Sequence, residues 1–289
     1  MAELPSINLG PHSVSRLIIG GNPFSGNSHQ GGERDKEMVD YFTIERIKQT
    51  LRDCERHGIT TIQARGDAHI TRMLNEYWNE GGTLRWIAQT ASEMASFENN
   101  VKRILSFNPI AIYHHGSMTD NLWCEGKVQV IADRLAFLRD QGVVTGLGTH
   151  LPEVIEYSEE HGWPVDFYMA SAYAISRKAR PLFFTVGHHG GWEQFLDEDR
   201  EVMLRVIRQT LKPCLAFKIL GAGRKCATSE DVRQTFEHIF ANIKPIDAVV
   251  VGMFPKYKDQ VAENAQFVRE VCSQVGIASG TGKVSPLKE

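Results

Sequence analysis

Histidines are concentrated where chemistry is expected in this sequence. Of 11 histidines, six fall at or just after the ends of short apolar segments: His69, His114, His115, His150, His188 and His189. Imidazole titrates near neutral pH and binds metals when neutral, so this clustering favours acid–base catalysis or a metal site. Any one of these histidines could instead have a structural role and only form hydrogen bonds with backbone groups of its loop. We favour the interpretation that at least one of His114 and His150 is functional.

Four residues are predicted to be catalytic. His114 is expected to be the central acid or base, with His150 and Lys218, together with Arg65, binding or polarising the substrate. His69 is the alternative proton donor if the protein is an oxidoreductase. Lys218 stands in the apolar segment LAFKIL, where an unpaired buried charge would be costly. It could anchor an anion, act as an amine nucleophile, or extend to the rim of the fold.

Several neighbouring residues are candidates for substrate binding. They are Asn22, Gln63, Arg65, Tyr173 and Phe217. Arg65 could bind a carboxylate or phosphate, but an internal pair with Asp67 is the favoured interpretation.

Metal and phosphate sites have weaker signals. His114, His150 and Asp67 could together hold a divalent metal, although the sequence has no HExxH motif and no cysteine-rich spacing. The segment 221–224, GAGR, could bind phosphate through backbone amides around Gly221 and Gly223. A tight turn would require the same glycines.

Eight strand–helix units are predicted to position these residues. Apolar, β-branched-rich strands are expected at 14–20, 59–65, 84–90, 109–115, 143–149, 165–171, 213–220 and 246–252. Helical periodicity lies between them, at 44–58, 128–142, 202–211 and 232–243. Continuously apolar strands are typical of parallel sheets covered by helices. The sequence therefore predicts an α/β fold, a single (β/α)₈ TIM barrel, with a doubly wound open sheet as the alternative.

The active site of such a barrel lies at the carboxyl ends of its strands, where the candidate residues fall. We expect one barrel domain over 1–275 and a C-terminal tail over 276–289. The irregular segment 171–196 is long enough to be functional.

Composition excludes several classes of protein. The net charge of −3 gives no electrostatic reason to expect nucleic acid or an anionic membrane as a partner. There is no apolar run of membrane-spanning length and no secretory signal pattern. The five cysteines form no CxxC pair, which favours free thiols. We expect a cytoplasmic protein that acts on a small molecule and could form a homo-oligomer.

The order of segments resembles the aldo-keto reductase superfamily. The resemblance is carried by VSRLIIGGNPFSG, GITTIQARGDAH, IAIYHHG, the stretch from FLRDQGVVTGLGTH to VDFYMASAY, LAFKILGAG, and VVVGMFPKYKDQVAENAQFV. It covers most of the chain, and it implies the same barrel.

The family's catalytic tetrad is kept only in part. The resemblance implies that His114 corresponds to the catalytic histidine, whereas the aspartate is replaced by Gln63 and the lysine by Thr90. The tyrosine that donates the proton falls at or beside Ala68. The family's carbonyl reduction therefore lacks its usual proton donor.

The nicotinamide contacts are also largely replaced. Gly148 and Thr149 stand where the family has a Ser-Asn pair, and Met169 stands where it has a glutamine. Phe217 could supply the aromatic ring that stacks on nicotinamide.

On the adenine side, the resemblance keeps the Glu-Asn pair as Glu263 and Asn264. Gln260 replaces an arginine, with Lys256 and Lys258 nearby. NAD(P) is therefore an open question, as is a metal.

Three functions follow from these features. The first is an enzyme that has left the reductase reaction and does acid–base chemistry, metal-assisted or not, as a lyase, isomerase or hydrolase on a small polar, sugar-like or anionic substrate. The second is an NAD(P)-dependent oxidoreductase with His69 or His114 as proton donor. The third is a non-catalytic sensor or subunit, which would lack a polar cleft.

Overall fold

A short hairpin precedes the barrel in the computed structural model, which describes residues 3–176 and 193–274. Strands β1 (Ser6–Leu9) and β2 (His12–Ser15) pair in antiparallel fashion around a turn at Gly10, whose φ is +57°. The sequence prediction merged β2 into the first barrel strand as 14–20, and this was wrong. Arg16 separates the two strands, since its buried side chain turns to donate to the carbonyl oxygens of Asp247 and Lys244.

Eight parallel strands then close into a barrel, which confirms the predicted fold. They are β3 (Leu17–Gly20), β4 (Thr61–Arg65), β5 (Arg85–Gln89), β6 (Ala111–His114), β7 (Val144–Thr149), β8 (Phe167–Ser171), β9 (Cys214–Phe217) and β10 (Ala248–Gly252). Each pairs with its neighbour in chain order, and β10 pairs with β3 to close the sheet. The open-sheet alternative is thereby excluded.

Helices cover the outside of the barrel. They are α1 (Gly32–Tyr41), α2 (Ile44–Arg56), α3 (Ala68–Asn79), α4 (Phe97–Leu105), α5 (Gly116–Cys124), α6 (Val128–Asp140), α7 (Pro152–Glu160), α8 (Asp197–Gln209), α9 (Ser229–Asn242) and α10 (Gln260–Gln274). In α2 the side chains of Ile47, Leu51 and Cys54 are fully buried, at the spacing of one helix face. The Thr43 side chain caps this helix by accepting from the Arg46 amide.

Two apolar layers hold the barrel together. One lies between strands and helices, and the other fills the barrel interior. Interior residues include Ile18, Ile87 and Phe167, and the β1–β2 hairpin adds Ile7 and Leu9 beneath them. The hairpin and this layer fill the amino-terminal end, so the opposite end is the one that can accept a ligand.

Some predictions fall outside the described segments. These are most of the 171–196 segment, with His188 and His189, and the tail over 276–289. All five cysteines are described, and all are free thiols as predicted. Within residues 3–176 and 193–274, no helix combines the length and apolar character needed to cross a bilayer.

Candidate active site

A cleft opens at the carboxyl end of the barrel, and we call it the barrel-mouth cleft. The cleft is narrow, with about 80 Å³ of space accessible to a water-sized group. Its lining is Gly21, Asn22, Ser25, Asn27, His29, Gln63, Arg65, Gln89, Tyr113, His115, Gly116, Ser117, Gly148, His150, Phe217 and Lys218. Six of the predicted site residues are therefore brought together: Asn22, Gln63, Arg65, His150, Phe217 and Lys218.

A chain of polar side chains forms the floor of the cleft. The Gln63 amide donates to the Tyr113 hydroxyl at 2.7 Å, and that hydroxyl donates to Gln89 at 2.7 Å. Burial raises the pKa of Tyr113, so its hydroxyl keeps its proton. Tyr113 was missed by the sequence prediction. Its position on β6, one residue before His114, places its side chain in the barrel interior.

An Asp–His pair stands at the end of β7, and it is the main chemical feature of the cleft. The Nδ1 atom of His150 lies 2.7 Å from Oδ2 of Asp120. Asp120 is fully buried, and it also accepts from the Thr149 hydroxyl at 2.6 Å. The backbone amide of His150 contacts the same carboxylate at 3.2 and 3.3 Å. These contacts satisfy the buried charge and fix the ring.

The carboxylate also selects the tautomer of a neutral His150. A carboxylate only accepts hydrogen bonds, so Nδ1 carries the proton and Nε2 carries the lone pair. A histidine with this orientation is suited to take a proton at Nε2, and the carboxylate stabilises the imidazolium that results.

Glycines bring the pair together. Asp120 lies in the second turn of α5, which begins at Gly116 directly after β6. A Cβ atom at Gly148 would lie 2.9 Å from the His114 carbonyl oxygen and 3.0 Å from the Gly116 nitrogen. The helix can therefore pack closely on β7 because Gly148 has no side chain. Asp120 had no motif in the sequence. Its burial among other polar residues of α5, Ser117, Thr119 and Asn121, is visible only in the structure.

A second set of ionisable side chains reaches the cleft at Lys218, the residue that directly follows β9. Nζ of Lys218 lies 3.0 Å from Nε2 of His29, and Nδ1 of His29 lies 2.9 Å from Glu193. The side chains of His29 and Glu193 are 10% and 6% exposed. Lys218 is therefore neither isolated nor only at the rim, since it takes part in a nearly buried carboxylate–imidazole–amine chain. His29 and Glu193 were not predicted.

Phe217 lies against both groups. Its ring centroid is 5.3 Å from the His150 ring and 5.2 Å from Nζ of Lys218. The aromatic residue therefore forms an apolar wall that both the Asp–His pair and the lysine contact.

Arg65 lines the cleft, but its predicted pairing with Asp67 was wrong. Its guanidinium lies 3.1 Å from Glu93. Asp67 instead caps α3, where its carboxylate accepts from the Ile70 amide at 2.8 Å. An N-cap position fixes the aspartate at the helix start and turns it away from the arginine.

His114 is not in the cleft, which contradicts the role predicted for it. It points into the layer between strands and helices, where it is fully buried beside Phe97. Nδ1 lies 2.7 Å from the Thr119 hydroxyl and Nε2 lies 3.3 Å from Arg134. Burial, and then the Arg134 charge, lower the pKa of His114 to about 3. The ring is neutral and structural.

The adjacent histidine faces the other way. His115 lines the cleft, and its Nδ1 lies 3.0 Å from the Ser92 hydroxyl. Successive side chains of a strand alternate between faces, so a one-residue difference in register decides which histidine reaches the ligand.

Two other predicted residues are also outside the cleft lining. His69 is exposed on α3, two residues after the cap. Tyr173 is buried, and its hydroxyl lies 3.5 Å from Asp197 at the start of α8.

The predicted metal ligands do not meet. His114 is in the outer layer, Asp67 caps a helix, and His150 is held by Asp120. Across residues 3–176 and 193–274, no three His, Cys, Asp or Glu side chains are grouped so as to hold a metal ion.

The residues predicted to bind a dinucleotide lie away from the cleft lining. Lys256 contacts Glu37 of α1 at 2.7 Å, and Tyr257 and Arg34 contact the same carboxylate. Hydrogen bonds from Lys256, Tyr257 and Arg34 lower the pKa of Glu37 to about 2. The positive charge of Lys256 is therefore already balanced by a carboxylate.

The remaining dinucleotide candidates are engaged within the protein. Glu263 contacts Lys258 at 2.7 Å, and Asn264 is buried. Gly221 and Gly223 have φ values of +58° and +92°, so they serve a tight turn. The side chain of Gln30 donates to the Ala222 carbonyl at 2.7 Å and covers that turn.

Comparison with solved structures shows the class of fold. The chain is similar to Gox0644 in its apo form, with a TM-score of 0.55 and 10% identity over 94% of each chain. It is similar to a chain of the Amycolatopsis orientalis BexX/CysO complex, with a TM-score of 0.52 and 14% identity over 98% of this chain and 100% of that one.

It is also similar to an aldo/keto reductase from Brucella melitensis, with a TM-score of 0.52 and 11% identity over 96% of this chain and 99% of that one. No protein-family model and no curated protein matches the sequence. At these identities the likeness shows a TIM-barrel fold and leaves function to the site.

Proposed function

We propose that this protein is an enzyme that transfers protons at a carbon next to the carbonyl group of a small, negatively charged substrate. This step is common to isomerases and to lyases that eliminate or cleave beside a carbonyl. The observation that carries the proposal is the buried Asp120 carboxylate at 2.7 Å from Nδ1 of cleft-lining His150. His150 accepts the substrate proton at Nε2 and returns it.

Cationic side chains of the cleft favour an anionic substrate through their hydrogen bonds. Glu93 and Glu193 offset the charges of Arg65 and Lys218, but the guanidinium and amine groups line the cleft and can donate to a carboxylate and a developing oxyanion. The amide groups of Asn22 and Gln63 suit carbonyl or hydroxyl oxygens, whereas the Tyr113 hydroxyl already donates to Gln89. A neutral apolar ligand would make no use of these polar groups, whereas an anionic one would add hydrogen bonds to them.

Proton exchange tests the proposal without knowledge of the full reaction. Pyruvate and small hydroxycarbonyl acids are incubated with the protein in D₂O, and loss of the α-proton signal is followed by NMR. We expect exchange above the protein-free rate, and a loss of about 100-fold or more in His150→Asn. His238→Asn, which changes a partly exposed histidine on α9 that contacts Glu201 away from the cleft, serves as the matched control. Exchange that is unchanged in His150→Asn would refute the proposal.

We also propose that the chain is a divergent aldo-keto reductase superfamily member. The order of segments and the barrel similarity to the Brucella melitensis aldo/keto reductase support this. This proposed family relationship makes NAD(P)-dependent oxidoreduction the second candidate function. Fluorescence titration with NADPH and NADH decides it: saturable binding supports the oxidoreductase, and no binding of either removes it.

The non-catalytic alternative has less support. It required the absence of a polar cleft, whereas the barrel-mouth cleft contains His29, His115 and His150.

A further inference from the structure

Lys218 breaks the alternation of its strand. Leu215 and Phe217 face the barrel interior and Ala216 faces the helices, so a regular strand would direct Lys218 outward. Instead Lys218 has a φ of +58°, and it lines the cleft beside Phe217. A left-handed backbone at a residue other than glycine costs about 1 kcal/mol. It is found mainly where the surrounding structure enforces it, often at functional sites.

The partner of Lys218 has the same unusual backbone. His29 has a φ of +59°, and its ring meets Nζ of Lys218 at 3.0 Å although 189 positions separate them in the sequence. Arg224 donates to the His29 carbonyl at 3.1 Å and holds this loop in place. Two strained residues on different loops are thus directed at one another.

The order of groups is that of a proton relay. Glu193 accepts at Nδ1 of His29, so in a neutral His29 the Nε2 atom carries the lone pair that faces the lysine. The chain carries no net charge whether the proton is on Lys218 or on His29, because Glu193 balances either one. Lysine can therefore lose its proton to His29 without leaving an unbalanced buried charge. A lysine that only anchors an anion has no need of a base at hydrogen-bond distance.

We infer that Lys218 forms a covalent imine with a 2-oxo acid in the barrel-mouth cleft, with His29 and Glu193 as its proton relay. This rests on the proposed function for the carbonyl character of the substrate. The carboxylate of a 2-oxo acid suits Arg65, and an imine draws electrons from the adjacent carbon, whose proton His150 removes.

Imine formation at Lys218 releases one water molecule. Nε2 of His29 takes a proton from the Lys218 ammonium, and the neutral Nζ attacks the carbonyl carbon. The carbon–oxygen double bond opens, and the oxygen receives the proton held on His29, which gives a carbinolamine. Loss of the hydroxyl group with a proton from the nitrogen then releases one water and leaves the carbon–nitrogen double bond.

Reductive trapping tests the inference on the whole protein. The protein is incubated at neutral pH with pyruvate and cyanoborohydride, and peptide mass spectrometry locates the reduced adduct. We expect Lys218 to be labelled about tenfold or more faster than the exposed Lys36 on α1. Labelling that follows exposure, with no preference for Lys218, would overturn the inference. Because this experiment uses the unmodified protein, its result does not depend on whether a variant folds.

Three variants then test the adduct site and the relay. Lys218→Arg should remove the rapid adduct, whereas Lys256→Arg should keep it. His29→Asn should slow trapping at neutral pH by about 100-fold, and the rate should recover toward about pH 10, near the ordinary pKa of lysine. An unchanged pH profile in His29→Asn would overturn the relay.

The outcomes separate this inference from the proposed function. Proton exchange that depends on His150, together with no adduct on Lys218, would refute the imine and leave the proposed proton transfer intact. A Lys218 adduct with no exchange would refute the proton transfer and leave the imine.

Discussion

Replacing Asp120 with asparagine should reverse the tautomer of His150. The carboxylate accepts at 2.6 Å from Thr149 and at 2.7 Å from Nδ1 of His150. An asparagine can keep one acceptor oxygen, but its amide nitrogen donates where the carboxylate accepted. We expect the oxygen at the Oδ1 position, where it keeps the Thr149 hydroxyl and the His150 amide as donors, so the amide nitrogen faces Nδ1. His150 then accepts at Nδ1 and carries its proton at Nε2, where it cannot act as a base.

The magnitudes follow from the contacts that change. The hydrogen bonds that the carboxylate accepts from Thr149 and His150 all become neutral ones, so unfolding should need about 1–3 kcal/mol less free energy. Loss of a positioned base should slow proton exchange by about 10²–10⁴-fold, which corresponds to about 3–5 kcal/mol of activation free energy. The kinetic effect should therefore exceed the stability effect.

Long-range ¹H–¹⁵N NMR of the histidine rings measures the tautomer directly. At a pH where His150 is neutral, we expect the Nδ1–H form in the unmodified protein and the Nε2–H form in Asp120→Asn. Asp133→Asn, an exposed aspartate on α6, is the matched control and should change neither. An Nε2–H tautomer in the unmodified protein would refute the argument from the carboxylate.

Two further predictions concern the barrel. The pKa of His114 is about 3 in the folded chain and about 6.5 in the unfolded chain, so unfolding takes up a proton below pH 6.5. As the pH falls from 7 to 5, this residue should therefore lower the free energy of unfolding by about 2 kcal/mol. Urea titrations should show that loss reduced in His114→Asn and kept in His238→Asn; an equal pH dependence in both would contradict the buried neutral ring. Gly146→Ala should destabilise the fold by about 1–3 kcal/mol, because its Cβ would lie 2.3 Å from the Phe167 ring. Phe167→Leu should partly restore it, and simple additivity of the two changes would argue against this clash.

The barrel could be predicted because its signals are local. Each of the eight strands is a short apolar run of the sequence, and helices such as α2 show one buried face. The hairpin was missed because Arg16 separates β2 from β3 by a single residue, and no local pattern distinguishes that break from a continuous strand.

The site was predicted in position and only partly in its residues. The carboxyl ends of the strands pointed to His150, Lys218 and Arg65, and all three line the cleft. His114 was chosen over His115 because apolar pattern alone does not say which of two adjacent histidines faces inward.

The partners were beyond reach for a different reason. Asp120 and His150 are 30 residues apart, and His29 and Lys218 are 189 apart. Such contacts exist only once the barrel has closed, so no spacing in the sequence encodes them.

The most direct test of the account compares two histidines by proton exchange into pyruvate in D₂O. The exchange rate per folded molecule is measured for His150→Asn and for His114→Asn, with folding checked by circular dichroism. Since His150 lines the cleft and His114 lies in the outer layer, we predict a loss of about 100-fold or more in the first and little change in the second. Loss in His114→Asn with full exchange in His150→Asn would contradict the account.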